Sequence, residues 1–269
     1  MSATTTSGYP TADTTGWALT FGHAVRGEWI KIRTMRITPW LALAFLAITV
    51  GMGASSSAGA DPAVVTQEDL ATRLAAGLFV AQAVLAVLAA LSATSEWATG
   101  LVRVSLTAVP RRSLFVTAKA VVVVGISVVL TIVGLVGAWA FSLVRYSGSG
   151  TTMDLADPLY LWLFLGGPVF MALISTMGLG FGVLMRSAGA AVTTVVALAP
   201  VLPVILAAFS VDVIVTIREL LPASAGPALM GQQPLGGSSL PVAVSILVIV
   251  LWGVVPPLAG VLSLRRRDA

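Results

Sequence analysis

The residues of this chain whose types and spacing could do chemistry fall in few places. The densest is the stretch Ser95-Glu96-Trp97-Ala98-Thr99-Gly100-Leu101-Val102-Arg103-Val104-Ser105-Leu106-Thr107-Ala108-Val109-Pro110-Arg111-Arg112. It offers a carboxylate at Glu96, a cation at Arg103 and an apolar set at Leu101, Val104 and Leu106, and Pro110 stops any helix there. The stretch is too apolar for a solvated linker. An amphipathic turn in a short connection needs a surface to bury against, so its chemistry is that of docking rather than of bond-making. Arg103, Arg111, Arg112 and Lys119 read equally as simple membrane-side anchors. A second group, Asp212, Arg218 and Glu219, reads as a solvated face.

Other chemistries lack their residues. There is no cysteine, which removes disulfides, thiolate metal sites and thiol nucleophiles. His23 is the only histidine, too few for a histidine metal cluster or an H-E-x-x-H helix. No G-x-x-x-x-G-K-[ST] loop is present, so the chain does not hold ATP phosphates in the P-loop manner. Ser127, Ser175 and Ser245 lie in apolar runs without a nearby base, and Gly178 with Gly182 has the spacing of a tight helix contact.

The elements that must carry these residues follow from composition. Of 269 residues 57% are hydrophobic and only 10% charged, and the mean hydropathy is +0.99. A soluble domain runs at about 45–50% apolar and about 25% charged. A soluble enzyme, a disordered chain and a nucleic-acid-binding domain are excluded, and an all-α polytopic membrane protein is left. Apolar runs of bilayer length predict six transmembrane helices, at about 38–57, 74–95, 119–143, 159–184, 188–210 and 242–263. Apart from Lys119 at the edge of the third, all six runs are free of Asp, Glu, Lys, Arg and His. With alternating loops, 12 of the 15 Lys and Arg residues fall on one side and 3 on the other. The positive-inside rule makes the basic side cytoplasmic and puts both termini there.

The flanking segments have their own signatures. Residues 1–16, rich in Thr and Ser, read as a disordered cytoplasmic tail, and 17–267 as one transmembrane domain. Ala18, Phe21, Val25, Trp29, Ile32 and Met35 recur at steps of three and four, with His23, Arg26, Lys31 and Arg33 on other faces. This predicts an N-terminal amphipathic helix in the membrane interface, or a cytoplasmic extension of the first span. Residues 212–240 carry Pro222, Pro227, Pro234 and several glycines. They read as a broken outer segment, either short helices, a re-entrant hairpin or a plain external loop.

A pump with neither charges in its spans nor a nucleotide loop must take its energy from elsewhere, and a second protein is the natural source. Three features resemble the permease subunits of ABC type-2 exporters in their compact six-span bacterial form. They are Gly27-Glu28-Trp29-Ile30-Lys31-Ile32-Arg33-Thr34 ahead of the first span, the loop from Glu96 through Gly100 and Pro110-Arg111-Arg112 to Lys119, and the broken outer segment. Leu101 stands where that family more often has Thr. The resemblance implies a cytoplasmic coupling helix around 96–107 and a pathway formed with a second permease subunit, in a homodimer or a heterodimer. It implies an ABC ATPase partner that binds the ATP and Mg, since no cofactor belongs to this chain. It further implies that Glu28, Glu96, Gly100, Leu101 and Arg103 couple to that ATPase, and that Asp212, Arg218 and Glu219 form an outer gate. The remaining partner is membrane lipid, with no nucleic acid, and the expected location is a bacterial plasma membrane. An ion-driven secondary transporter and a non-transport membrane scaffold remain the alternatives.

Overall fold

A computed structural model describes residues 20–58, 66–100, 112–146, 156–233 and 237–266. Among them there are helices and turns and no strand. The helices are α1 (Phe21–Thr34), α2 (Thr38–Ala58), α3 (Gln67–Ala98), α4 (Arg112–Tyr146), α5 (Pro158–Met185) and α6 (Ala188–Val196), which runs through a π turn (Ala197–Val201) into α7 (Leu202–Leu206). Then come α8 (Asp212–Glu219), α9 (Pro222–Ala225), a 3₁₀ turn (Gly226–Met230) and α10 (Val242–Arg266). Six of these are long and apolar enough to cross a membrane: α2, α3, α4, α5, α6 with α7, and α10. Their positions match the apolar runs, but α3 and α4 extend well past them. The expected tail at 1–16 lies outside the described residues.

Local sequence explains the helix ends. Thr66 and Asp69 form a reciprocal capping box at the start of α3. Asp157 caps α5, with Pro158 in its first turn, and Arg186 ends it at φ 54°. Pro200 falls inside the π turn, where the wider ring of hydrogen bonds accommodates a residue with no N–H to give.

Packing is organised around α3 and α5. In each, 61% of the most apolar window is buried, against 17–33% in the other four spans. Small residues make the close approach possible. A Cβ on Gly182 would lie 2.7 Å from the Ala90 carbonyl oxygen, and one on Gly178 would collide with that of Ala86. The sequence spacing of these two glycines therefore marks the α3–α5 contact. Gly77 meets Thr49 of α2 in the same way, at 2.5 Å. The outer helices turn apolar side chains outward, among them Leu43, Val129, Val133, Leu247, Leu251 and Leu258. So much exposed hydrocarbon suits a lipid environment.

The segment after the fifth span folds back on the bundle. α8 and the piece Pro222–Met230 meet at 78°. Trp252 donates its indole N–H to the Leu220 carbonyl, and Gly226 packs directly on the Phe170 ring. Trp252 lies ten residues into α10 and Phe170 twelve into α5. At 1.5 Å per residue the bent pair thus reaches about 15–18 Å along its neighbours, roughly half a bilayer core.

Candidate functional site

The most unusual chemistry lies where α1, α3 and α4 meet. The face of α1 that is buried is Ala24, Glu28 and Ile32, one residue per turn. Of the apolar face read from the sequence, Ile32 is buried and Val25 half-buried, while Phe21 and Trp29 are exposed. A carboxylate thus occupies the centre of the buried stripe. Its partner is Lys119, on the second turn of α4 and only 1% exposed.

Four charges close on one another. The Lys119 ammonium donates to Glu28 Oε2 at 2.5 Å, to Glu96 Oε1 at 2.7 Å and to the Ser92 carbonyl at 3.2 Å. All three of its protons are used. Lys31 donates to Glu28 Oε1 at 2.7 Å and to Glu96 Oε1 at 3.2 Å. The two carboxylates and two ammonium groups balance, which is the condition for keeping charge out of water. Phe115 lies beneath both lysines, its ring centre 5.7 Å from Lys31 Nζ and 5.5 Å from Lys119 Nζ. Partial burial pulls the Lys31 ammonium down. Its hydrogen bond to Glu28 and the charges of Glu28 and Glu96 outweigh that and hold it above its ordinary value of 10.5.

The same end of the bundle carries two further ties. Arg186, capping α5, stacks its guanidinium 4.3 Å from the centre of the Trp97 ring on α3. Arg112, at the start of α4, donates to the Leu264 carbonyl of α10. That carbonyl belongs to the last turn of its helix, where no intrahelical donor remains. Arg112 therefore acts as a cap as well as a flanking charge. Together these contacts join α1, α3, α4, α5 and α10 at one end.

The expected coupling residues separate into groups. Glu28 and Glu96, each 4% exposed, face inward and hold helices together. Glu96 and Trp97 belong to the last turn of α3, so no separate helix begins at Glu96, because the helical hydrogen bonds run on through Ala98. Gly100, exposed at φ +71°, turns the chain out of the helix, a conformation that suits a residue without Cβ. Leu101 and Arg103, with the rest of the expected coupling segment up to 107, lie outside the described residues. Lys31 and Lys119, which the sequence reading named only as motif and anchor residues and not as site residues, complete the cluster. Their signal was available in part: Glu28, four residues from both Ala24 and Ile32, is an acid on an apolar helix face.

At the opposite end the expected gate is divided. Asp212 is exposed at the start of α8, whereas Arg218 and Glu219 are buried at its end, so these two are not a solvated face. Glu219 accepts from the Ser239 N–H at 2.6 Å and from its hydroxyl at 2.8 Å. Arg218 donates to the Gly237 carbonyl at 3.1 Å. They pin the connection into α10 onto the bent pair. Between the spans, Ser127 and Ser175 share a hydrogen bond of 2.6 Å, which makes them a packing contact between α4 and α5. No protein-family model matches the chain, and neither does any curated protein.

Proposed function

We propose that this chain is the membrane-spanning permease subunit of an ATP-binding-cassette exporter. It sits in a bacterial plasma membrane with both termini cytoplasmic and works with a second permease subunit. A separate ATPase subunit binds the nucleotide and Mg. The observation that carries the reading is the buried four-charge cluster. It joins the surface helix α1 to the two helices, α3 and α4, that flank the 99–111 connection. A motor pressing on α1 or on that connection would move both spans as one body, because the cluster resists separation of its charges.

Depth favours this reading over an ion-driven carrier. Proton-coupled carriers hold their ionisable groups within the spans. Here Glu96 is two residues from the end of α3, and Lys119 seven from the start of α4, about 10 Å in. Glu28 and Glu96 are then positioning residues, and the contact with the motor falls to Leu101, Arg103 and the exposed face of α1.

Purification of the tagged chain from its native membranes in mild detergent tests this. A stoichiometric partner with a P-loop, lost on the double change Leu101→Ser and Arg103→Ala, is the expected result. Transport in vesicles then follows ATP and ignores ionophores. A chain that purifies alone from active membranes, or transport that collapses with the ion gradient, overturns the reading.

A further inference from the structure

A cavity of about 450 Å³ lies under the bent pair, between α2, α3 and α5. Its size falls in the range of small-molecule sites, about 300–1,000 Å³. Three features give it a definite chemistry. First, Ala75 and Ala76 of α3 leave the space, and Phe79, Phe170, Pro227 and Met230 wall it with apolar surface. Second, its polar groups gather at one end: Thr72, Gln232 and Gln233. The Thr72 hydroxyl donates to Gln232 Oε1 at 2.8 Å, which fixes the orientation of that amide. Third, among the described residues no charged side chain lines it; Arg73, next to Thr72 in the chain, is not one of its walls.

The surroundings give the cavity a way in and a continuation. Met52 and Val80, on its rim, are 39% and 40% exposed on the lipid-facing surface of α2 and α3. Gln232 and Gln233 also line a neighbouring cavity of about 270 Å³, whose walls include Ser224, Ser238 and Ser245 and, among the described residues, again no charge. The roof is firmly seated, because Gly166 of α5 packs against the Leu229 carbonyl with no room for a Cβ. The space is therefore a feature of the packing and not of a loose lid.

We propose that this cavity binds an amphiphile with an apolar body and an uncharged, hydrogen-bonding head. The body enters from the lipid between Met52 and Val80. The head pairs with the Gln232 and Gln233 amides and extends toward the serine-lined cavity. A charged head would lose water there without gaining a counter-charge. The inference stands apart from the ATPase reading, since a carrier or scaffold with this cavity would take the same ligand.

Photolabelling of the full chain in phosphatidylcholine nanodiscs tests it. Three probes share one diazirine-bearing alkyl chain and differ in head: a glycerol ester, a carboxylate and a trimethylammonium. The glycerol ester is expected to label, saturably, the peptides carrying Phe79–Val80 and Met230, at least tenfold above the two charged probes. Ala76→Phe, which fills the cavity, and Gln232→Leu, which removes the polar end, should each cut that labelling at least tenfold. Gln232→Leu changes no volume in the apolar part, so it decides the matter if Ala76→Phe misfolds. Equal labelling by all three heads, preference for a charged head, or labelling that survives Gln232→Leu overturns the proposal. Partner retention on purification is read separately, so a failure here leaves the permease reading standing, and the reverse.

Discussion

Replacing Lys119 by methionine leaves the shape of the side chain and removes its charge. Glu28 and Glu96 then face each other with only the half-exposed Lys31 between them. The wild-type contacts are short, 2.5 Å to Glu28 and 2.7 Å to Glu96. At an effective dielectric of about 20 each is worth about 6 kcal/mol of Coulomb attraction, before the cost of desolvating the ions. Removing one partner of such a buried group costs about 3–5 kcal/mol net. For a chain of this length that corresponds to a fall in Tm of about 6–20 °C. Thermal unfolding of the detergent-purified protein at pH 8 measures it. The triple variant Lys119→Met, Glu28→Gln, Glu96→Gln should recover most of the stability, since the charge it leaves, on Lys31, is half-exposed to solvent. Under the proposed permease reading it should still uncouple the partner's ATP hydrolysis from transport. A Tm for Lys119→Met within 2 °C of wild type, or a triple variant no more stable than the single one, would refute the reasoning.

Three further outcomes follow from the same structure. Lys31 is held above its ordinary value of 10.5, so the ammonium stabilises the fold fully below about that pH and loses its contribution as pH rises through the higher folded value. The Tm difference between wild type and Lys31→Met should be constant from pH 6 to 9 and narrow above pH 11. Gly178→Leu places a side chain where α5 touches the Ala86 carbonyl, and overpacking of this kind costs about 1–3 kcal/mol or more. Its yield and Tm should fall, whereas Gly189→Leu, where a Cβ meets nothing within 4 Å, should behave as wild type in the same assay. The chain has no cysteine, so single cysteines report topology without background. A membrane-impermeant maleimide should label Ser149→Cys in right-side-out vesicles and Thr107→Cys only in inverted ones, and the reverse pattern would invert the orientation.

The six spans were legible in the sequence because a bilayer asks for a one-dimensional property, about 20 apolar residues in a row. The docking glycines of α5 were legible for a related reason, since their spacing repeats with the helix. The bent pair was legible only as a broken segment. Its prolines announce interruption, but its depth is set by where Trp252 and Phe170 receive it. The cavity beneath it was not legible at all, because Met52, Ala76 and Gln232 come from three distant parts of the chain. The cluster shows the division most clearly. Lys119 read as a membrane-side anchor and Glu96 as the start of a docking helix. Both lie inside a neutral group of four charges with Glu28, 91 residues from Lys119. Apolar length is counted along the chain, and so the sequence alone determined what crosses the membrane. A buried charge needs a partner within about 3 Å in space, and only the packing of α1 against α3 and α4 decided which partners those are.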